Sequence, residues 1–560
     1  MHPLWIDGFV VAAYFALIIY IGLRAGRGER SMESFAIGDR NIPWWAVMAS
    51  ILAAEISAAT FLGAPGEGYA TRNFTYAQLA IGTILARFII AGVFIKPFYD
   101  FRVVSIYQYL SLRFGAQTRN ASSALFLVTR ALASGTRLYV AAIVIVMTYE
   151  QITGAVLSPF QQVGVYSAAL VLLTSVTALY TAAGGIKAVV WTDLIQATLM
   201  FGSLGFAIWS LLSRIPDGWS GVVSVLNGPK DFALFDLGIN PSESFWQNVR
   251  SILESEYTLW AALIGSTFTT MATHGTDQDM VQRMLTAKNH QRSRFSLILS
   301  GLADMPLVLC FLLVGMLLWV HYQQQGKDAP FAFFIVNELP PGVRGILFAG
   351  IFATAMGSLS TALNALATSF TEDWYKTHIR PQATEVEVLR AARISTVVFS
   401  LILVLIGAGT AYAKIVLHAR IIPIVLGIFG YTYGSLLGVF LVGLLTRRRG
   451  SERGNLCAMG AGFVVVAVLS GLHNDLWALL HPANAQGTVA APLWKPHWLP
   501  AIEFPWRIAF GTIVTAGVAV LFKTPDSQLA VAQAHLDSVQ ERNAREEAGG
   551  AGATAAKTPS

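Results

Sequence analysis

Apolar runs of about 20 residues recur along almost the whole chain, and they constrain its fold more than any other feature. A run of this length crosses a bilayer as an α-helix, in which every backbone polar group is satisfied within the segment. We therefore predict an all-α polytopic membrane protein with about 13 transmembrane helices. The predicted spans are residues 4–24, 42–68, 75–98, 121–149, 159–182, 189–213, 248–275, 294–321, 343–370, 389–412, 421–446, 454–472 and 504–522.

Charge is scarce in this chain and is concentrated in alternate loops. Only 12% of the residues are charged, against about 25% in a soluble domain, so the net charge of +6 indicates membrane orientation and not a nucleic-acid partner. With an outside N-terminus and a cytoplasmic C-terminus in the cell (inner) membrane, few Lys and Arg residues lie outside, chiefly Arg72, Lys230, Lys327 and Lys495. The basic residues then predicted inside are Arg24, Arg27, Arg30, Arg40, Lys96, Arg102, Arg113, Arg119, Arg283, Lys288, Arg292, Arg294, Lys376, Arg380, Arg390, Arg393, Arg447, Arg448, Arg449 and Arg453.

Residues 44–69 form an apolar run whose middle is unsuited to lipid. Glu55, Ser57 and Thr60 lie there among alanines, and a carboxylate in hydrocarbon costs several kcal/mol unless it faces something polar. The run ends in glycines and a proline, which we expect to loosen the helix and turn carbonyls towards a ligand. We interpret it as a broken helix that holds an ion and a solute. The alternative is a tightly packed interior helix with a structural Glu55.

A second polar feature is the cluster of Gly357, Ser358, Ser360 and Thr361 in an otherwise apolar helix. Hydroxyls in membrane helices often bond back to their own carbonyls, which is one interpretation. The other is a set of hard, neutral oxygen ligands for a small monovalent cation.

Asp193 follows a Gly-Gly turn and Lys187 near the start of a span. Acids inside membranes mark ion paths by default, so Asp193 is a candidate ion ligand. The alternatives are a helix cap or an ion pair with Lys187.

Two further segments interrupt the apolar pattern. Residues 265–283 contain Thr270, His274 and Asp277, and we predict that they form the inverted-repeat partner of the first broken helix. Residues 427–438 are a glycine-rich interruption that contains Tyr431.

Arg130 and Arg137 lie inside a predicted span. A buried arginine usually pairs with an acid, for which Glu55 and Glu254 are candidates. Its other use is to hold an anionic substrate.

The chain resembles the sodium/solute symporter family, which includes sodium/glucose, sodium/sialic acid and sodium/proline cotransporters. The resemblance rests on six segments in the family's order: FAIGDRNIPWW, ISAATFLGAPGEGY, YQYLSLRFG, GGIKAVVWTDLIQ, DQDMVQRML and LSTALNALATSFTEDWY. It implies two inverted five-helix repeats, a leucine-transporter-type core, with extra N- and C-terminal helices.

On this basis the chain divides into six parts. They are an extra N-terminal span with an inner loop (1–40), the first repeat (41–215), an extracellular loop (216–247), the second repeat (248–450), C-terminal spans with an extracellular loop (451–523) and a disordered cytoplasmic tail (524–560).

The resemblance also implies the ion ligands. A sodium ion would be bound by the carbonyls of Ala53, Ile56 and Thr354 and by the Ser358 hydroxyl, while Gly357 stands where the family often has a second serine. Some members bind another sodium ion, and the matching residues here are Asp193, Ser360 and Thr361.

The solute pocket departs from the family's sugar sites, since Ala59 and Thr60 replace a Glu-Gln pair. The predicted pocket residues are Glu55, Thr60, Gln78, Arg130, Arg137, Thr270, His274, Asp277 and Tyr431.

We therefore predict a sodium-coupled secondary symporter that imports a small organic solute (a sugar, a carboxylate or an amino-acid-like molecule) by alternating access. Its partners would be Na+, the solute and membrane lipid, with no nucleic acid and no obligate protein partner. One alternative is proton coupling through Glu55, His274 and Asp277. Another, a membrane sensor or enzyme, lacks a nucleotide-binding signature and a converged catalytic set in the sequence.

Overall fold

A computed structural model describes residues 4–154, 156–322, 330–417, 427–480, 494, 496, 500 and 502–555. Its first part contains α1 (Leu4–Ala25), α2 (Met32–Ile37), α3 (Trp44–Glu55), α4 (Ala58–Thr71), α5 (Leu79–Val93), α6 (Ile95–Asp100), α7 (Ile106–Phe114), α8 (Ala116–Thr153), α9 (Pro159–Leu212), α10 (Gly218–Val225) and α11 (Phe245–Leu253). Its second part contains α12 (Thr267–Gly275), α13 (Gln278–Leu285), α14 (His290–Tyr322), α15 (Pro330–Glu338), α16 (Val343–Ser369), α17 (Glu385–Ile415), α18 (Ile428–Leu445), α19 (Glu452–Leu469), α20 (Leu472–Leu480), α21 (Phe504–Val520) and α22 (Asp526–Ala555).

The all-α membrane architecture is confirmed. Among the described residues, 9 helices are long and apolar enough to cross a membrane, or 10 if α3 and α4 count as one bent span. The 54-residue α9 consists of two helical segments that meet at Gly185, whose φ of 52° and ψ of −146° interrupt the helix. These two segments correspond to the predicted spans 159–182 and 189–213.

The first broken span breaks earlier than predicted. Helices α3 and α4 meet at an angle of 65°, and Ile56 at the junction is extended, with φ −86° and ψ 104°. The Ser57 hydroxyl caps the new helix by accepting from the Thr60 N–H at 3.4 Å. The expectation that the glycines and the proline break the helix is wrong, because they lie within α4.

Those glycines serve helix packing instead. A Cβ on Gly68 would overlap the Leu312 carbonyl oxygen, and one on Gly315 would overlap the Pro65 carbonyl oxygen. Helices α4 and α14 therefore approach each other at backbone distance, as small residues allow in membrane bundles.

The second break lies between α12 and α13, at Thr276 and Asp277. The predicted span 248–275 begins late, because α11 is a separate helix and the span starts with a π-helical turn at Ala261–Ser266. Arg283 is not an inner-loop residue, since it is fully buried in α13.

Two other expectations are wrong. The glycine-rich segment 427–438 is no interruption, because α18 is continuous and a Cβ on Gly434 would lie 2.8 Å from the Cα of Gly511 in α21. The tail is not disordered over Asp526–Ala555, where α22 forms, and residues 528–545 of this helix are rich in Ala, Gln and Arg. Gln528 anchors it by donating to the carbonyls of Ser111 and Leu112 at 3.0 and 2.7 Å. The extracellular loop that we predict between the last two spans, residues 473–504, lies mostly outside the described residues.

Helix α16 forms the centre of the bundle. It packs against α9, α8, α1, α3 and α4, and 89% of its most apolar 18-residue stretch is buried inside the protein. The hydroxyl cluster thus lies at the middle of the fold, facing the break between α3 and α4.

Candidate ion and solute site

Gly357 brings α16 into close contact with the break in the first span. A Cβ at this position would lie 3.3 Å from the Ala53 carbonyl oxygen, 2.9 Å from Gln196 Oε1 and 3.7 Å from Asp193 Oδ1. The end of a helix leaves its last carbonyls without intrahelical donors, so Ala53 O is available as a ligand. Oxygen atoms from α3, α9 and α16 therefore converge around Gly357.

Four of the hydroxyls of α16 bond back to carbonyls of their own helix. Thr354 donates to Ile351 O at 2.8 Å, Ser358 to Ala355 O at 3.1 Å, Ser360 to Gly357 O at 3.1 Å and Thr361 to Ser358 O at 2.9 Å. A hydroxyl that donates one hydrogen bond keeps two lone pairs. Back-bonding and cation binding are therefore compatible here.

Ser358 also faces the solute side of the break. It lines a small cavity of about 20 Å³ together with Ala54, Ser57, Arg137 and Asp279. This places its hydroxyl next to the junction that the resemblance assigns to sodium.

Asp193 is fully buried and does not pair with Lys187. Its Oδ2 accepts from Ser50 Oγ at 2.5 Å and lies 3.6 Å from Arg283 Nη2, whereas Oδ1 has no hydrogen-bond partner among the described residues. Lys187 instead forms ion pairs with Asp39 and Glu29 at 2.7 and 3.2 Å. The alternative of an Asp193–Lys187 pair is wrong.

Unpartnered polar atoms gather beside Asp193. Within the part of the chain that the structure describes, Gln196 Oε1 and Nε2 and the Tyr180 hydroxyl are buried without a hydrogen-bond partner, as is Asp193 Oδ1. Each such group costs about 1–3 kcal/mol if it stays unsatisfied. Free oxygen atoms in this number fit a bound sodium ion, which the carboxylate and amide oxygens would hold. The sequence analysis did not predict Gln196 as a site residue, although its spacing of three residues from Asp193 places both on one helix face.

A larger cavity of about 300 Å³ adjoins the small one, since Ala54, Arg130 and Arg137 line both. Among the predicted pocket residues, six line this cavity: Glu55, Thr60, Arg130, Arg137, Thr270 and His274. Phe504 and Pro505 at the start of α21 also line it. Its size and its mixture of apolar and polar walls are those of a small-molecule site.

The other three predicted pocket residues lie outside the cavity lining. Gln78 is fully buried and ties a loop down by accepting from the Asp236 N–H at 3.1 Å. The Tyr431 hydroxyl accepts from Arg507 at 3.3 Å. Asp277 lies behind the lining, where the Tyr433 hydroxyl donates to it at 2.5 Å.

Arg130 is neutralised by protein carboxylates. It forms ion pairs with Asp277 and, at 3.1 Å, with Asp279. The expected partners Glu55 and Glu254 are wrong, because Glu55 pairs with Arg87, and Glu254 pairs with Arg250 at 2.9 Å on the surface. A buried arginine with two acids is a structural element of the second break.

Arg137 differs from Arg130 in lacking such a partner. Among the described residues no carboxylate lies within 4 Å of its guanidinium group, which lies over the Phe429 ring at 5.1 Å and lines the cavity. A charge with no paired acid at membrane depth is costly unless a ligand compensates it. Arg137 is thus placed to hold an anionic group.

The sequence analysis did not predict four charged residues as part of the site: Arg87, Asp279, Arg283 and Asp304. Arg283 donates to Asp279 Oδ1 at 2.6 Å and to Ser50 Oγ at 2.9 Å. Asp304 in α14 is only 8% exposed and lines the cavity. A lone charge inside an apolar run was the available signal for Arg87 and Asp304.

A bundle with two broken helices, a buried oxygen-rich cluster at one break and a solute-sized cavity beside it defines a secondary transporter with the leucine-transporter-type fold. The sequence profile of the sodium:solute symporter family matches residues 35–462, and the chain belongs to this family. Sodium is therefore its coupling ion, and its function is symport, with no enzymatic chemistry.

The chain is similar over most of its length to characterised symporters. It is 26% identical to the sodium/sialic acid symporter SiaT of Proteus mirabilis, covering 88% of this chain and 96% of that one. It is 27% identical to the human sodium-coupled monocarboxylate transporter 1, covering 82% and 72%, and 26% identical to the human sodium/iodide cotransporter, covering 84% and 68%.

The fold agrees with that of a solved relative. A structure of a Na+-coupled sialic acid symporter in a substrate-bound outward-open state superposes with a TM-score of 0.75 at 19% identity, covering 92% of this chain and 97% of that one. This likeness confirms the leucine-transporter-type core.

Proposed function

We propose that this protein imports a small organic solute that carries a carboxylate group, together with sodium, by alternating access. The observation that carries the proposal is Arg137, a cavity arginine with no acidic partner among the described residues. Arginine binds carboxylates in bidentate geometry, and such charge-assisted hydrogen bonds are the strongest available to a solute. The named solutes of the similar proteins, sialic acid, monocarboxylate and iodide, are all anions.

For the ions, we infer a first sodium site between the break and α16, with Ala53, Ile56, Thr354 and Ser358 as ligands. The proximity of Gly357 to the Ala53 carbonyl oxygen supports it. Sodium there would join α3 to α16 and stabilise the arrangement in which the solute binds. Because the ion binds one arrangement better than the other, its release would shift the equilibrium between them.

A second sodium site would use Asp193, with Ser360 and Thr361 as the matching hydroxyls. The free Asp193 Oδ1 and the unpartnered Gln196 amide, both judged over the described part of the chain, support it. A direct contact with the sodium ion would then offset the desolvation cost of the buried carboxylate.

The membrane orientation belongs to the same proposal. The bias of Lys and Arg between loops favours an outside N-terminus and a cytoplasmic C-terminus in the cell (inner) membrane. Phe504 and Pro505, which line the cavity at the start of α21, would then lie towards the outside.

Proton coupling has less support, because two of its three groups are engaged. Glu55 pairs with Arg87, and Asp277 pairs with Arg130. The third group is His274, whose ring nitrogen Nε2 forms no hydrogen bond to any described residue.

A thermal-shift screen of the purified protein tests the proposal. Sugars, carboxylates and amino acids are compared in sodium and in potassium buffers. We expect stabilisation by carboxylate-bearing molecules in sodium only. Equal stabilisation by neutral sugars, or equal effects in potassium, would contradict it.

A further inference from the structure

A second unpaired group lies in the solute cavity, and it is an acid. Asp304 in α14 is 8% exposed, lines the cavity and has no hydrogen bond or ion pair among the described residues. The charged groups close enough to interact with it are Glu55 and Arg87, which already pair with each other. A carboxylate buried without a partner costs several kcal/mol, and a cationic ligand at the cavity wall would offset that cost.

Arg137 and Asp304 lie on different walls of one cavity. Arg137 belongs to α8 and Asp304 to α14, and both helices pack against α4. The protein thus presents one unpaired guanidinium group and one unpaired carboxyl group to the same space of about 300 Å³. A ligand that carries a negative and a positive group can pair with both.

The surroundings of Asp304 favour an organic cation over a metal ion. Leu307, Val308 and Phe311 follow it in α14 and line the cavity with it, and the Tyr76 ring also lines this space. The aromatic rings suit an organic ammonium group or a protonated ring nitrogen, and the aliphatic side chains suit the apolar part of such a molecule. A sodium ion needs several oxygen ligands, and those are concentrated around Gly357 instead.

We propose that the solute is a small zwitterion whose carboxylate binds Arg137 and whose cationic nitrogen binds Asp304. The proposal rests on the proposed carboxylate site at Arg137 and narrows its substrate class. Threonine hydroxyls on the wall between, such as those of Thr60 and Thr270, would contact the body of the molecule.

The test uses matched pairs of ligands that differ only in the amino group. The pairs are L-alanine and propionate, L-proline and cyclopentanecarboxylate, L-phenylalanine and 3-phenylpropionate, and 4-aminobutyrate and butyrate. Binding to the purified full-length protein is measured in sodium and in potassium buffers. We expect at least one amino-bearing member to bind in sodium at least tenfold more tightly than its deaminated partner.

Variants assign the preference to a residue. In Asp304→Asn the tenfold ratio should fall to about one, while the deaminated partner binds as before. In Arg137→Gln both members of the pair should weaken. Asp39→Asn, a surface acid paired with Lys187, is the control and should change neither.

The outcomes separate this inference from the proposed function. Sodium-dependent binding of deaminated carboxylates as tightly as their amino partners overturns the zwitterion and leaves the carboxylate site standing. The zwitterion is likewise overturned if Asp304→Asn keeps the tenfold ratio between the amino-bearing ligand and its deaminated partner. It is also overturned if Asp304→Asn raises the sodium concentration for half-saturation in the absence of solute, because Asp304 would then be a sodium ligand. If no member of any pair binds in sodium, both proposals fail. Should Asp304→Asn not fold, the wild-type ratio alone decides.

Discussion

Arg130 and Arg137 lie about two helical turns apart on α8, and both guanidinium groups lie over the Phe429 ring, at 5.4 and 5.1 Å from its centroid. Among the described residues, however, Arg130 has acidic partners and Arg137 has none. The two residues share a helix, a ring and a cavity, but the second break contributes its carboxylates to only one of them. This difference predicts opposite phenotypes for the same substitution.

Arg137→Gln should weaken solute binding while the protein stays folded. The lost charge-assisted contact is worth about 1.5–3 kcal/mol, a rise of roughly 10- to 150-fold in the solute concentration for half-maximal uptake. Arg130→Gln should instead lower stability by about 3–5 kcal/mol, because it leaves Asp277 and Asp279 buried without a counter-charge. Uptake in proteoliposomes and thermal unfolding distinguish them. Normal uptake by Arg137→Gln would show that this residue does not contact the solute.

Ser358→Ala should raise the sodium concentration needed for half-maximal uptake. The hydroxyl supplies one ion–dipole contact beside the break, worth about 1.5–3 kcal/mol. Thr396→Ala is the matched control, since Thr396 in α17 is a buried hydroxyl that likewise bonds back, to Ala392 O at 3.0 Å. An equal effect of both substitutions, or none of either, would place the sodium ion elsewhere.

Gly357→Ser should lower the sodium requirement relative to Gly357→Ala. Both substitutions add the Cβ that meets Gln196 Oε1 at 2.9 Å, so the side-chain amide of Gln196 must shift in each case. Only serine adds an oxygen near Ala53 O and Asp193 Oδ1. Sodium titrations of uptake compare the two variants, and equal curves would mean that the added hydroxyl is not a ligand.

Asp193→Asn should reduce the number of sodium ions per solute from two to one. Each ion moved contributes about 2.3 kcal/mol of drive per 100 mV, so reversal potentials in proteoliposomes resolve the ratio. A wild type that already balances at one sodium ion, or a mutant that keeps two, would exclude the second site.

Gly68→Ala should destabilise the bundle, whereas Gly66→Ala should not. A Cβ on Gly68 meets the Leu312 carbonyl oxygen, and overpacking of this kind costs about 1–3 kcal/mol. Gly66 lies in the same helix, and a Cβ added there would meet no described atom within 4 Å. Because alanine favours the helix more than glycine does, Gly66→Ala should raise the stability of the folded protein by a few tenths of a kcal/mol or more. Thermal unfolding of both variants measures the contrast. Equal melting temperatures would mean that the α4–α14 contact tolerates a methyl group.

The sequence by itself determined the membrane class, the all-helical architecture and the polar segments inside the apolar runs. Hydropathy over about 20 residues is a local property, so it predicted these features without knowledge of the packing. The hydroxyl cluster at Ser358 and the polar break near Glu55 were visible because polar atoms in an apolar run are conspicuous. The position of the break was not, since glycine and proline in α4 serve a helix contact and Ser57 provides the cap.

Only the tertiary structure decided which charges are paired. Arg130 and Arg137 look equivalent in the sequence, and their roles separate because Asp277 and Asp279 come from a helix about 150 residues away. The same holds for Glu55 with Arg87, for Asp193 with Ser50, and for Asp304, which is left without a partner among the described residues. Ion pairing depends on distances of a few ångströms between distant segments, and a one-dimensional pattern carries no record of them.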